Sequence, residues 1–324
     1  MEYSFASMIS MKDYDFVRFA DTNKVPLVSR LGLGCWAIGG HGWGKINDDE
    51  SINAIRYAYE RGVTFFDTAN VYGFGKSEKM LRLALGKNLN SLFVATKGGV
   101  RWDKNGKVWN DSSPEYLTLA VEASLQRLGI ERIPLYYIHK LDGKTPISDI
   151  MGALMRLREA GKIGEIGVSN FTAPQLAEAL TVAPVRAVQV RFNLLERVRG
   201  EELESLCSRF NVKLVAWGAL ADGLLTGKFN LSTTFGEDDH RSRMPDFQGE
   251  RFVENLQRIE ALSTIARERN VSLNQLALRW IIDRYDWSCP LFGAKTVDQV
   301  ADNLGAIGWR LSPEVMAAID KLTG

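Results

Sequence analysis

From Leu31 onward, short runs of β-branched and aromatic residues alternate with stretches whose apolar positions recur at helical spacing. The runs predict strands over residues 31–36, 64–67, 92–97, 135–139, 163–168, 185–190, 212–216 and 288–292. Helices are predicted over 49–61, 77–85, 114–128, 147–160, 174–179, 201–210, 252–269, 273–283, 297–307 and 313–322. A run that stays apolar at successive positions belongs to a strand buried on both faces, and the helices between such runs supply parallel crossovers. Eight strand–helix units in about 290 residues fit a closed α/β barrel, a (β/α)8 TIM barrel with extra C-terminal helices. An open doubly wound sheet is the alternative. Before Leu31, two apolar segments flank a turn at 21–24 and predict an N-terminal β-hairpin over the lower mouth. Residues 98–111 read as a polar loop. The stretch 218–249 lacks either period and is too long for a simple connector, which marks it as functional.

Three of the strands carry a second signal. Thr64-Phe65-Phe66 runs into Asp67, Leu92-Phe93-Val94-Ala95-Thr96 into Lys97, and Leu135-Tyr136-Tyr137-Ile138 into His139. In a barrel the carboxyl ends of the strands surround the active site, so these charges share one mouth. Tyr72 lies one short loop beyond Asp67 and reaches the same place.

Composition narrows the classes. With 45% hydrophobic residues the chain can fill a large core, and we expect one domain over 1–324, with 1–16 as a loose or packed leader. A net charge of +1 gives no general attraction to nucleic acid or anionic membrane. No apolar run reaches the roughly 18 residues of a membrane span, and the N-terminus lacks a secretory core, so a cytoplasmic location is expected. Cys35, Cys207 and Cys289 are scattered and odd in number, which suits free buried thiols. No metal-ligand spacing stands out.

Two nucleotide motifs fail. Gly32-Leu33-Gly34 opens like a dinucleotide fingerprint, but Ala37 stands where the third glycine belongs. Gly75-Lys76-Ser77 ends like a P-loop, but Asn70 replaces its first glycine. The strand-end set is the better candidate. A lysine ammonium ~4 Å from a phenol favours the phenolate by about 4 kcal/mol at an effective dielectric near 20, roughly three pKa units. Lys97 is therefore expected to sharpen Tyr72 into a general acid, Asp67 to hold the lysine, and His139 to bond the substrate oxygen or assist proton transfer. The set suits protonation of a carbonyl oxygen while a nucleophile attacks the carbon.

With these residues the chain resembles the aldo-keto reductase family. The resemblance rests on Phe66-Asp67-Thr68-Ala69-Asn70-Val71-Tyr72-Gly73, Ala95-Thr96-Lys97, Tyr136-Tyr137-Ile138-His139 and Gly167-Val168-Ser169-Asn170-Phe171. It continues through Gln189, Phe192-Asn193, Gly223-Leu224-Leu225-Thr226-Gly227-Lys228 and Gly293-Ala294-Lys295 with Gln299 and Asn303. It implies an NADPH-dependent oxidoreductase whose tetrad is Asp67, Tyr72, Lys97 and His139. Ser169, Asn170 and Gln189 would hold the nicotinamide carboxamide, and Trp217 would stack on its ring. Trp217-Gly218-Ala219-Leu220 departs from the family's Tyr-Ser-Pro-Leu, keeping the π-face and losing the hydroxyl and the proline. Gly223, Leu225, Gly227 and Lys228 would close over the pyrophosphate. Gly293 and Lys295 would meet the adenosine phosphate, and Asn303 the adenine. Gln299, where some branches carry arginine, leaves room for NAD(H) beside NADP(H).

The expected substrate is a small-molecule carbonyl or sugar, held by loops that carry Trp36, Trp43, Arg101 and Trp102. Carbonyl reduction is the first reading. A sugar-directed oxidoreductase, either an aldose dehydrogenase or a nucleotide-keto-sugar reductase, is the second. A nucleotide-sensing subunit resembling potassium-channel β-subunits is the alternative of another class, and retention of His139 speaks for catalysis. Neither the oligomeric state nor a role for Arg191 follows from the pattern.

Overall fold

The computed structural model describes residues 11–20, 25–40, 42–44 and 46–323, the side chain of Tyr14 excepted. The predicted turn at 21–24 and most of the leader lie outside these residues. Eight parallel strands close into a barrel in chain order: β1 (Gly32–Gly34), β2 (Phe65–Asp67), β3 (Phe93–Gly98), β4 (Ile133–Ile138), β5 (Ile163–Ser169), β6 (Val185–Arg191), β7 (Lys213–Trp217) and β8 (Ser288–Gly293), which returns to β1. The helices around it are α1 (Asp48–Glu60), α2 (Lys76–Leu85), α3 (Pro114–Leu128), α4 (Ile147–Glu159), α5 (Ala173–Val182) and α6 (Val198–Phe210). Next, α7 (Gly249–Arg267) and α8 (Leu273–Arg284) precede β8, and α9 (Val297–Leu304) and α10 (Pro313–Thr323) follow it. The alternation of apolar runs and helical periods therefore yields the closed form, and the open sheet is excluded.

Local chemistry explains the helix starts. Asn47 accepts from the amides of Asp49 and Glu50 at the head of α1, and Ser113 accepts from Tyr116 ahead of Pro114 in α3. Thr172 and Gln175 form a capping box at α5. Gly129 stops α3 in the left-handed region, φ +69°.

The barrel interior is filled from below by one side-chain parity. Phe65, Phe93, Leu135, Ala187, Val215, Cys289 and Leu291 point inward and form a core separate from the one between strands and helices. The N-terminal ribbon, Phe16–Val17 paired antiparallel with Val28–Ser29, covers the lower mouth as expected. Phe19 is fully buried there, with ring centroids 4.7 Å from Phe93 and 5.4 Å from Phe65. Burying such a ring is worth about 1.5–3 kcal/mol. Side chains repeat their direction every second residue along a strand. The parity that buries Phe65, Phe93, Leu135, Ala187 and Val215 thus also turns Asp67, Lys97, Tyr137, Gln189 and Trp217 inward, higher up.

Three expectations need correction. The first strand ends at Gly34, and Trp36 starts a short helical turn, Trp36–Gly39. Residues 98–111 are not a plain loop: Val100–Trp102 and Val108–Asn110 pair as an antiparallel hairpin. Its turn is tied by Asp103, whose carboxylate accepts from the amides of Asn105 and Lys107. The final barrel helix α9 stops at Leu304 rather than continuing to 307, with Gly305 as its cap. The stretch 218–249 is irregular as read, built from short turns at Ala221–Thr226, His240–Arg243 and Pro245–Phe247.

Candidate active site

Asp67 ends β2, and register places it beside Gly34 of β1 and Ala95 of β3. Lys97 lies two residues further up β3, opposite Tyr137 of β4. The two side chains meet in the mouth: Lys97 Nζ donates to Asp67 Oδ1 at 2.5 Å and to the Thr68 carbonyl at 2.8 Å, and reaches the Tyr72 hydroxyl at 3.4 Å. The lysine is fully buried, whereas Tyr72 keeps part of its surface open. Gln189 Nε2 donates to the other carboxylate oxygen of Asp67 at 2.7 Å. The His139 ring stands edge-on to Tyr72 with centroids 5.8 Å apart. The four predicted tetrad residues are thus together.

Two glycines let the Tyr72 loop reach this position. Gly73 has φ +58°, a conformation costly for other residues. A Cβ on Gly39 would sit 2.8 Å from the Tyr72 carbonyl carbon, so the turn after β1 packs directly on the Tyr72 backbone. A buried polar layer supports the loop from behind. Thr68 donates to Ser77, Ser77 to the Cys35 carbonyl, and Thr96 to Glu78, which also holds Arg127 at 2.5 Å. The pattern missed Glu78 as a support. It lies three and seven residues before Leu81 and Leu85, on the buried face of α2, which was the available signal.

The electrostatics overturn one expectation. Burial is the largest influence on Tyr72 and raises its pKa; Lys97 opposes this, and Asp67 offsets Lys97 in turn. The phenol therefore lies above its ordinary value, not three units below it. The first physical reason is burial, which disfavours the phenolate and outweighs the lysine; the second is that the ammonium is already committed to a contact carboxylate, so the phenol sees an ion pair rather than a bare cation. Burial would lower Lys97, but Asp67 and Tyr72 together hold it above the usual lysine value. Burial raises Asp67 against the pull of Lys97 and Gln189. For His139, burial, Lys97 and Lys140 all act downward, so the imidazole is neutral at physiological pH. Its Nδ1 is buried, and among the described residues it has no hydrogen-bond partner. A buried polar atom in that condition suits a substrate oxygen or a proton carried to one.

Across the mouth, Ser169 ends β5 and Asn170 follows in the left-handed region, φ +61°. The Asn170 amide nitrogen donates to Ser169 Oγ at 3.1 Å, and its oxygen accepts from Trp217 Nε1 at 3.1 Å. Ser169, Asn170 and Trp217 thus form one cluster. Gln189 instead turns its amide nitrogen to Asp67, joining the predicted cofactor set to the tetrad. The Arg191 guanidinium lies 5.5 Å from the Trp217 ring centroid and pairs with Glu196 and Asp222 at 2.5 Å and Asp246 at 3.3 Å. It fastens the 218–249 stretch to the end of β6, a role the sequence did not disclose.

The phosphate-side residues gather on the other flank. Gly223 and Gly227 both have positive φ, and their amides, with that of Leu225, bond to carbonyls within the same loop. Lys228 Nζ sits 5.0 Å from the Phe229 ring. Lys295 Nζ donates to the Trp43 carbonyl at 2.8 Å, and its amide donates to Gln299 Oε1 at 2.8 Å. Burial lowers both lysines, and Arg241 lowers them further. Two partly buried lysines beside a guanidinium give a region of positive potential suited to an anion. Gly293 is exposed, with open space where a side chain would stand. Asn303 is buried, its oxygen accepting from Asn274 at 2.8 Å. Arg241 is held by Asp239 at 2.5 and 2.9 Å, so Lys228 and Lys295, beside a glycine-opened strand end, are the cations that fit a dinucleotide phosphate.

Of the pocket residues, Trp36 and Trp43 stand over the mouth, 5.2 Å apart, with Trp36 6.2 Å from Tyr72 and 6.4 Å from Trp217. Trp102 packs on Phe74 at 5.8 Å. Arg101 is not a pocket residue. Strand alternation turns it away from the buried side of Val100, and it pairs with Asp111 at 3.2 Å on the surface, between Trp109 and Tyr116.

A family model described as the Aldo/keto reductase family matches residues 30–323, nearly the whole chain. The chain belongs to the aldo-keto reductase family. It is 37% identical over 304 residues to aldo-keto reductase YhdN of Bacillus subtilis (strain 168), covering 93% of this chain and 91% of that protein. It is 35% identical over 300 residues to the aldo-keto reductase yakc [NADP(+)] of Schizosaccharomyces pombe, covering 90% and 87%. Among solved structures, a glycerol dehydrogenase from Gluconobacter oxydans superposes with a TM-score of 0.89 at 38% identity, over 96% of this chain and 95% of that one. This aldo-keto reductase is therefore an oxidoreductase of carbonyl and alcohol groups that uses a nicotinamide cofactor. Among the described residues no helix is long and apolar enough to cross a membrane, and no group of three or more His, Cys, Asp or Glu residues is placed to hold a metal ion.

Proposed function

We propose that this aldo-keto reductase reversibly reduces an aldehyde or ketone to an alcohol with NADPH, and that Tyr72 is the general acid. The observation that carries the reading is Lys97 Nζ bridging Asp67 and the Tyr72 hydroxyl inside a barrel mouth. When bound in this mouth, a reduced nicotinamide would supply the hydride for the carbonyl carbon. Tyr72, protonated throughout the neutral range, donates to the carbonyl oxygen and gives up its proton as that oxygen gains charge. The resulting phenolate lies 3.4 Å from Lys97 Nζ, which attracts it, while Asp67 offsets part of that attraction. The lysine thus acts on the charge that develops during the reaction rather than on the resting phenol, which is how an interaction accelerates the chemical step. Water then reprotonates Tyr72. His139, neutral, holds the carbonyl oxygen from the other side. Lys228 and Lys295 support NADP over NAD, while Gln299 adds no charge to that flank.

A polyol or sugar is the second reading for the substrate, favoured by the indole walls Trp36, Trp43 and Trp217 and by the name of the Gluconobacter relative. The test is NADPH consumption with a panel of alkyl and aryl aldehydes, ketones, aldoses and short hydroxyketones, and NADP reduction with the matching alcohols. Turnover of carbonyls with NADPH supports the proposal, and turnover of none in either direction overturns it. Turnover restricted to aryl aldehydes removes the polyol version.

A further inference from the structure

The loop after β1 and the loop after β7 meet above the mouth. Trp43 and Asp239 form an isolated antiparallel bridge, and the His240 amide donates to the Gly42 carbonyl at 3.1 Å. The His240 ring packs against both indoles, 5.2 Å from Trp36 and 4.5 Å from Trp43, and the three rings form a triangle. Its two nitrogens both face acceptors: Nδ1 is 2.8 Å from the Gly42 carbonyl, and Nε2 is 3.2 Å from Asp222 Oδ1. A neutral imidazole has one N–H and satisfies one of them, whereas the imidazolium satisfies both. Asp222 is itself buried at φ +53° and anchored by Arg191 to the barrel. A continuous tie therefore runs from β6 through Arg191, Asp222 and His240 to Gly42, and through the packed Trp36 ring to Tyr72.

We propose that His240 is a positioning and specificity-determining residue, which as an imidazolium clasps Gly42 to Asp222 and so holds Trp36 and Trp43 as the roof of the substrate pocket. The catalytic consequence rests on the carbonyl-reductase reading, but the clasp itself is a property of the cofactor-free protein. Charges face the ring from each packed element. Asp222 and Asp239 come from the β7 loop, with the Asp239 carboxylate 3.9 Å away. Arg191 stands behind Asp222, Arg241 is the adjacent residue, and Lys295 binds the Trp43 carbonyl. Burial lowers the imidazole pKa, and the contacts with Asp222 and Gly42 more than reverse this, leaving it above the ordinary value. The clasp is thus complete below that raised pKa and loses a hydrogen bond as pH rises through it. Bulky or rigid substrates, which need both indole walls in place, are the ones this affects.

The test begins with tryptophan emission of the cofactor-free, full-length protein between about pH 5 and 9, which spans the ordinary histidine range and an upward shift from it. It is done in a His41→Gln background, because His41 neighbours the same loop in sequence. A titration centred above about 6.5 that disappears when His240→Phe is added supports the clasp. Its persistence in the double variant overturns it. His240→Gln, which keeps a donor and no titration, serves as a second variant should the phenylalanine not fold. In steady state near pH 6.5, His240→Phe is expected to raise KM for the carbonyl substrate roughly 10-fold, the scale of a charge-assisted hydrogen bond, with little change in kcat. An unchanged KM overturns the assignment to specificity. The emission arm needs neither cofactor nor substrate, so it decides the clasp even if no carbonyl is turned over.

Discussion

Arg279, beneath the barrel, and Lys97, in its upper mouth, are both fully buried and both held by carboxylates. Arg279 donates to Asp15 at 2.9 Å and in a fork to Asp283 at 2.5 and 2.9 Å. Those carboxylates are bonded in turn, Asp15 by the amide of Gly308 and Asp283 by that of Leu311. The result ties the N-terminal segment, α8 and the segment before α10 into one knot. Lys97 makes a similarly short contact with Asp67, yet its third neighbour is a phenol that stays partly open to the mouth. Burial of a charge does not by itself mark function. The distinction is what the pair faces: closed backbone below, and above, a group that can lose a proton together with an imidazole nitrogen that has no hydrogen-bond partner among the described residues.

This contrast is open to test by substitution. Arg279→Met leaves two buried carboxylates without their cation and is expected to cost about 3–5 kcal/mol in urea unfolding, while the molecules that remain folded keep their turnover. A loss under 1 kcal/mol would remove the knot as a structural element. Lys97→Met is expected to abolish turnover yet cost less stability, about 1–3 kcal/mol, because Asp67 can neutralise by taking a proton. The sign of its pH dependence follows from the raised Asp67 pKa. The folded state then binds more protons than the unfolded one, so the stabilisation is present at low pH and fades as pH rises through the folded pKa. Lys97→Met should therefore be more resistant to urea at about pH 5 than at pH 8; the reverse order would contradict a protonated Asp67 in that variant. Glu78→Gln, behind the Tyr72 loop, weakens the bonds to Thr96 and Arg127 and is expected to cost about 1–2 kcal/mol. Its kcat should fall slightly, and a loss as large as that of Lys97→Met would mean the support layer is part of the chemistry.

The upper and lower regions also differ in how far the chain's pattern discloses them. The strands were legible because burial on both faces leaves continuous apolar runs, and Asp67, Lys97 and His139 stood out because each interrupts such a run at its carboxyl end. Parity then carries the argument into the interior: Phe93, Ala95 and Lys97 point the same way, so the plug and the lysine share one column. The hairpin at 100–110 was missed although Asp103-Lys104-Asn105-Gly106 is a turn signal between Val and Trp residues. Its strands are only three residues long and mostly exposed, too short for a period to register. The Arg279–Asp15 tie and the Gly42–His240 clasp join residues 264 and 198 positions apart, and no local spacing reports such contacts. Arg101 was misplaced for a related reason, since alternation within an unpredicted strand decided which way it faces.

The phenol is not depressed by a lysine at ~4 Å as expected, because its burial outweighs the lysine and Asp67 offsets part of the lysine's charge. That leaves the role of Tyr72 itself as the point on which the account turns. The direct measurement compares Tyr72→Phe with wild type, reading NADPH binding by fluorescence titration and carbonyl reduction by single turnover. We expect cofactor affinity to be retained and the rate to fall by roughly 10²–10⁴-fold, the contribution of a positioned general acid. A variant that binds NADPH and reduces its substrate at the wild-type rate would contradict the assignment of Tyr72 as the proton donor.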